Sequence, residues 1–233
     1  MHVPDGFLDA TTSLATAGVA AAGVGVALRG ARRELDERTA PMAGLVAAFV
    51  FAVQMLNFPV GAGTSGHLLG GALAAVLVGP WTGVLCVSVV LIVQALLFAD
   101  GGITALGTNV TLLSLVAVGA GWLMFRALQR MLPNTTTWVA PAAAVAAFVS
   151  VPVTAAAFTG LYAVGGTAPI PLDGLLTAML GWHSLIGIGE AVITGLTVAS
   201  ITAVRPDLVF GAHRALRSRP LDVRTATAPQ EAR

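Results

Sequence analysis

Seven apolar segments, most of them nearly free of charge, dominate the sequence and constrain what the chain can fold into. A bilayer core of roughly 30 Å needs about 20 apolar residues in a helix, and its interior offers no water to backbone polar groups. The sequence therefore predicts an all-α, multi-pass protein of the cell membrane with about seven transmembrane helices. The segments cover residues 9–28, 41–58, 67–80, 81–98, 105–125, 138–164 and 183–204.

Composition supports this class, because charged residues make up only 10% of the chain. Soluble domains carry about 25%. The third segment is too short to cross the bilayer comfortably, and Gly79-Pro80-Trp81 interrupts the helix after it. We expect the third and fourth segments to form a tight helical hairpin with Trp81 at a membrane interface.

The basic residues predict the orientation in the membrane. All 12 are arginines, and with seven spans they all fall in loops on one side. Positive residues collect in the cytoplasm, so we expect the N-terminus outside and the C-terminus inside. They are Arg29, Arg32, Arg33, Arg38, Arg126, Arg130, Arg205, Arg214, Arg217, Arg219, Arg224 and Arg233.

The chain reads as a single membrane domain over residues 1–205. An N-terminal segment and first helix (1–30) precede a six-helix core (41–205). The polar tail 206–233 is expected to be cytoplasmic and disordered. The sequence contains no GxxxxGK[ST] motif, so we do not expect this chain to hydrolyse ATP by that mechanism, and no nucleic-acid partner is predicted.

Three of the four histidines, His2, His67 and His183, map to the outer side. The amine of Met1, the amide nitrogen of His2 and the imidazole of His2 can close fused chelate rings around one ion. Deprotonating that amide is worthwhile only for an ion that favours square-planar nitrogen ligands, such as Ni2+ or Cu2+. One more imidazole completes four ligands, and His67, after a glycine-rich turn, is the first candidate.

Polar residues inside the predicted spans are the next candidates, since such groups are costly in a membrane. Glu190 lies seven residues after His183 on the same helix face. Four residues are candidates for holding the ligand imidazoles in place: His183, Glu190, Asn109 and Gln94. The alternative is that they are hydrogen-bonded core residues that hold helices together.

Several stretches together resemble the CbiM/NikM family: MHVPDGFLD, SGHLLGGALAAVLVGPWTGVL, LIVQALLFADGGITALGTNV and HSLIGIGEAVIT. The resemblance covers about residues 1–200. It implies the substrate-capture component of an energy-coupling factor transporter for cobalt or nickel, with an extra N-terminal helix before a six-helix core. It also implies a metal held by the Met1 amine, the amide and imidazole of His2, and His67.

The resemblance further implies partners: a membrane coupling subunit, two ATPase subunits and a small accessory membrane subunit. The metal is then the transported substrate, and no resident cofactor is expected. Many cobalt-type members have a CSHPTG-like run around the loop histidine, whereas this chain has TSGHLLG at 64–70. The choice between Ni2+ and Co2+ therefore stays open.

Two other classes remain as alternatives. An intramembrane metal-dependent enzyme would use the histidines and Glu190, but the chain lacks HExxH or another tight histidine pair with a base between. A passive channel or structural membrane protein would use the buried polar residues only to join helices. For that class, Ni2+ should not raise the melting temperature.

Overall fold

The fold is a bundle of apolar helices, as the sequence predicts. The computed structural model describes residues 1–37, 39–61 and 64–217. Five of its helices are long and apolar enough to cross a membrane, and a sixth apolar helix has 15 residues. The chain is therefore an all-α, multi-pass membrane protein. In chain order the main helices are α1 (Ala10–Ala31), α2 (Ala40–Gln54), α3 (Gly71–Val78), α4 (Pro80–Leu97), α5 (Leu106–Met131), α6 (Val139–Gly165) and α7 (Leu172–Val204).

The α3 helix is short and completely buried, so it lies inside the bundle. Its eight residues span only about 12 Å. Gly79, with φ +95°, separates it from α4, and Gly83 of α4 lies against the α3 backbone, so that a Cβ there would come within 3.0 Å of the Ala75 nitrogen. The helix break that was predicted at Gly79-Pro80-Trp81 is therefore confirmed.

Several helix boundaries differ from the expected spans: α3 begins at Gly71 instead of 67, and α5 ends at Met131 instead of 125. The second helix ends at Gln54 instead of 58, because the chain turns into a two-stranded hairpin, β1 (Phe58–Gly61) and β2 (Thr64–Gly66). Ala62 and Gly63, between the strands, lie outside the described residues.

The last long helix begins at Leu172, not at 183. Pro171 is its N-cap and Asp173 lies in its first turn, where a carboxylate complements the helix dipole. His183 therefore lies about 17 Å along the helix rather than at its start.

The expectation of a disordered tail from residue 206 is wrong for residues 206–217. These residues form two 3-10 turns and a short helix, α8 (His213–Arg217), with Val209, Ala212 and Ala215 buried. Apolar side chains spaced about three apart provide a face that packs against the bundle. The remainder of the expected tail, 218–233, lies outside the described residues.

Candidate metal centre

The first three residues are tucked into the protein and fastened by their backbone. Met1 is 1% exposed and Val3 is fully buried. Asn109 accepts a hydrogen bond from the Val3 nitrogen at 2.7 Å and donates its side-chain amide to the Val3 oxygen at 3.0 Å. The Gly102 nitrogen donates to the same oxygen at 2.9 Å. The side chain of Asn109 thus acts as a strand partner for the N-terminal segment.

The helix that carries Asn109 has an irregular turn directly after it. Residues Val110–Val116 of α5 are wound as a π-helix. Such turns are rare and occur frequently at functional sites. Here the irregularity lies beside the contact between α5 and the N-terminal segment.

Residues 5–8 fasten the segment further along. Asp5 accepts hydrogen bonds from the Thr104 nitrogen at 2.7 Å and hydroxyl at 2.5 Å. The Phe7 ring lies against Phe158 and Tyr162 of α6, with centroids 5.7 and 5.3 Å apart. These contacts, with the loop before α5 and with α6, hold the chain end in one place before any metal binds.

The His2 imidazole faces a carboxylate on one side. Its Nδ1–H donates to Asp100 at 2.8 Å, and Asn57 donates to the other oxygen of Asp100 at 2.9 Å. Its Nε2 atom is buried, with no hydrogen-bond partner among the described residues. Gly101, with φ +92°, permits this approach, because a Cβ there would lie 3.0 Å from the Asn109 side-chain nitrogen and 3.5 Å from the His2 Cβ.

The second predicted ligand, His67, lies directly beside His2. The two ring centroids are 4.4 Å apart, and His67 is fully buried. Its Nδ1–H donates to the Leu68 oxygen at 2.8 Å. That bond fixes the tautomer, so Nε2 carries a lone pair, and this atom has no partner in the part of the chain that the structure describes.

The third histidine, His183, has the same arrangement. Its Nδ1–H donates to the Met179 oxygen one turn earlier in α7 at 2.8 Å, and it is fully buried. Its Nε2 is also without a partner within residues 1–37, 39–61 and 64–217. The described contacts therefore do not make it a hydrogen-bond support for the other imidazoles; it offers a further free nitrogen.

The buried carboxyl group of Glu190 supports the His67 loop through its backbone. It accepts hydrogen bonds from the Leu69 nitrogen at 2.6 Å and the Gly70 nitrogen at 2.7 Å. Gln54 donates to the Leu69 oxygen at 2.6 Å from the other side. Gly70 has φ +74°, a conformation that glycine adopts readily. Glu190 thus ties α7 to the residues that follow His67, rather than to an imidazole.

The structure does not connect Gln94 to the histidines. Both polar atoms of its side chain are buried with no hydrogen-bond partner among the residues described, while its backbone oxygen accepts from the Asp100 nitrogen at 3.1 Å. Asp100, in the loop after α4, is instead the partner of His2. The sequence signal was that the outer loops contain very few carboxylates, and this one follows α4.

Burial favours the neutral forms of the amine and the two imidazoles in this cluster, and each neutral group has a lone pair that can bind a metal. Desolvation lowers the pKa of the Met1 amine from 8.0 to about 4, although Asp100 opposes the shift. Burial also lowers the pKa of His2, partly offset by its hydrogen bond to Asp100. The pKa of His67 lies well below its usual value because of burial and of the nearby amine and histidines. All three groups are therefore neutral at pH 7.

Side chains alone do not make a metal site here. In the described residues no three His, Cys, Asp or Glu side chains form a group that could hold an ion. A metal bound between His2 and His67 therefore needs further nitrogens from the backbone. The Met1 amine and the His2 amide are the atoms available beside them.

The chain is similar to known metal-transport proteins over most of its length. Residues 2–208 match the family model CbiM, described as cobalt uptake substrate-specific transmembrane region. A putative metal transport protein of Haloquadratum walsbyi is 40% identical over 90% of this chain and 94% of that protein. A putative fused nickel transport protein NikMN of Archaeoglobus fulgidus is 39% identical over 90% of this chain and 68% of that protein. A crystal structure of a transition metal transporter superposes with a TM-score of 0.80 at 30% identity, over 88% of this chain and 93% of that chain.

Proposed function

Because this chain belongs to the CbiM family of cobalt-uptake, substrate-specific transmembrane proteins, we propose that its own N-terminus captures the transported ion, Ni2+ or Co2+. The ligands are the Met1 amine, the amide and imidazole nitrogens of His2, and His67. The ion enters from the outside and leaves towards the cytoplasm. It is the substrate, not a resident cofactor.

The distance between the two imidazoles is the observation that carries the proposal. With metal–nitrogen bonds of about 2.0–2.1 Å, two imidazoles at right angles on one ion have centroids about 4.5 Å apart. The rings of His2 and His67 are 4.4 Å apart. In the fused chelate, the amine, the amide and the imidazole of residue 2 fill three corners of a square. The fourth corner is adjacent to the His2 imidazole, and we assign it to His67.

The buried amine contributes in a second way. With a pKa of about 4 it has a free lone pair at pH 7, whereas an exposed amine is mostly protonated there. Metal capture at this site then releases the amide proton only. The amine already loses its proton when the N-terminal segment docks, so the free energy of that deprotonation does not reduce the affinity for the metal.

Capture also requires His2 to change its partner. Only Nδ1 can close a six-membered chelate ring with the amide of the same residue, and Nδ1–H is bound to Asp100 in the metal-free arrangement. We propose that the Nδ1–metal bond replaces this hydrogen bond. Asp100 remains nearby as a negative charge, which favours the bound cation.

The nature of the ligands limits the choice of metal. Four nitrogens, one of them a deprotonated amide, suit an ion that accepts square-planar coordination, such as Ni2+. The family model is described by cobalt uptake and the Archaeoglobus relative by nickel transport. The proposed substrate is accordingly Ni2+ or Co2+.

Delivery to the cytoplasm is proposed to depend on other subunits. The sequence has no P-loop motif, so ATP hydrolysis is assigned to two ATPase subunits acting through a membrane coupling subunit, as in energy-coupling factor transporters. A small accessory membrane subunit is a further proposed partner. The name of the family model, a substrate-specific transmembrane region, supports this division of labour.

Isothermal titration of the purified chain with Ni2+ and Co2+ tests the proposal. His67→Ala should weaken binding of both ions by more than about 100-fold, since it removes a ligand from the ion itself. His213→Ala, a matched control at the other end of the bundle, should leave it unchanged. Equal affinities for the two variants would reject the site. Absence of any metal effect on the melting temperature would favour the channel or structural alternative, and metal-dependent turnover lost in Glu190→Gln would favour the enzyme.

A further inference from the structure

A cavity lies at the opposite end of the bundle from the metal centre. It measures about 390 Å³ and lies between the end of α5 and the folded segment 206–217. The eight described residues that line it include three arginines and no aspartate or glutamate. The metal site does not account for it.

The wall formed by the folded segment is firmly built. Phe210 packs on Trp122 of α5 with ring centroids 5.7 Å apart. The Gly211 oxygen accepts a hydrogen bond from the Gln129 side chain at 2.7 Å. Gly211 itself is so close to Phe125 that a Cβ there would approach that ring to 2.7 Å. These contacts hold the cavity open as a shaped site rather than as a gap beside a loose tail.

Positive charge converges on this cavity. Arg126, Arg214 and Arg217 all line it and all are exposed. The Arg126 guanidinium lies 5.7 Å from the Trp122 ring centroid, and an Arg214 nitrogen donates to the Gln129 oxygen at 3.2 Å. Asp207, the nearest carboxylate along the chain, is held by two hydrogen bonds from Arg205.

The depth of the cavity corresponds to a membrane surface. Arg126 follows Leu106, the first residue of α5, by 20 positions, or about 30 Å, which equals the thickness of the hydrocarbon core. Trp122 lies one turn deeper, and its neighbour Leu123 is 71% exposed on the outside of the bundle. Tryptophan with arginine at this depth is typical of the headgroup layer.

We propose that this cavity binds the headgroup of an anionic phospholipid from the leaflet on the arginine-rich side, which we expect to be cytoplasmic. The three arginines contact the phosphate and the negatively charged headgroup, as basic pockets between membrane helices do. Trp122 and Phe210 lie beside the glycerol region, and the acyl chains run along the exposed face near Leu123. A free phosphate carries the same negative charge, but it has no apolar part to contact Trp122, Phe210 and the face near Leu123. The proposed occupant is therefore the lipid.

Thermal-shift measurements and native mass spectrometry of the full chain in detergent test the proposal. Phosphatidylglycerol should bind one to one and raise the melting temperature, whereas phosphatidylcholine and inorganic phosphate should not. Arg126→Gln combined with Arg214→Gln should weaken phosphatidylglycerol binding about 30-fold, at about fivefold per arginine. Arg217→Gln alone should weaken it about fivefold. Arg29→Gln combined with Arg33→Gln, a matched pair at the end of α1 and just after it, should have no effect.

Two results would overturn the proposal. The first is equal affinity for phosphatidylglycerol in the Arg126/Arg214 variant and in its matched control. That result would show that these arginines do not bind the lipid. A full effect of inorganic phosphate alone would assign the cavity to a free anion. Ni2+ affinity should be the same in all these variants, so failure of the lipid site and failure of the metal site are distinguishable.

Discussion

Replacement of Glu190 by glutamine tests how the His67 loop is held. The carboxyl group accepts hydrogen bonds from two consecutive backbone amides, at 2.6 and 2.7 Å, and is 2% exposed. Glutamine keeps one accepting oxygen and places an NH2 group against the second amide. A buried donor without an acceptor costs about 1–3 kcal/mol.

This cost should appear in metal affinity, because the two amides follow His67 by only two and three residues. At about 1.4 kcal/mol per tenfold change, a loss of about 2 kcal/mol corresponds to about 30-fold weaker Ni2+ binding. The assay is isothermal titration at a temperature where the variant is fully folded. Glu37→Gln, an exposed site in the loop after α1, is the matched control. Ni2+ affinity within about threefold of the original in a folded Glu190→Gln protein would refute this role.

Three further predictions concern the cluster around the N-terminus. Asn109→Asp keeps the acceptor for the Val3 nitrogen but loses the donor to the Val3 oxygen, so Ni2+ affinity should fall about tenfold in the same titration. Because the pKa of the Met1 amine is about 4, metal binding at pH 7 should release about one proton, and affinity should rise about tenfold between pH 7 and pH 8. Titrations in buffers of different ionisation enthalpy count these protons, and a value near two would mean that the amine is protonated. His183→Ala should weaken Co2+ more than Ni2+, since a fifth nitrogen does not suit square-planar Ni2+; equal losses for the two ions would contradict this.

The positions of the helices follow closely from the sequence, because a membrane imposes long apolar runs. The first span was expected at 9–28 and is found at Ala10–Ala31, where Asp9 caps it by accepting from the Thr12 nitrogen at 2.7 Å. The start of α7 was missed because prolines and glycines between 166 and 181 interrupt the apolar pattern. The helix there is stabilised by packing, with Leu175 and Met179 fully buried, and packing is not visible in composition.

The metal centre was only partly predictable for a similar reason. His2 and His67 were placed together on the grounds of ligand chemistry, and the structure brings their rings together; binding of a metal there stays a prediction. The contact of Asp100 with His2 depends on how three loops meet, which no local pattern reveals. Glu190 was expected to support an imidazole, but the face of a helix does not tell which backbone amides a carboxylate will meet.

The most direct test of the account is to block the α-amine while every side chain is left intact. N-terminal acetylation of the full chain, or one alanine added before Met1, should reduce Ni2+ affinity by more than about 1,000-fold, because the amine ligand is lost and His2 is moved from its place in the chelate. The melting temperature without metal should be measured alongside, to show that the blocked protein is folded. If a folded, blocked protein binds Ni2+ as tightly as the original, the N-terminal chelate is contradicted.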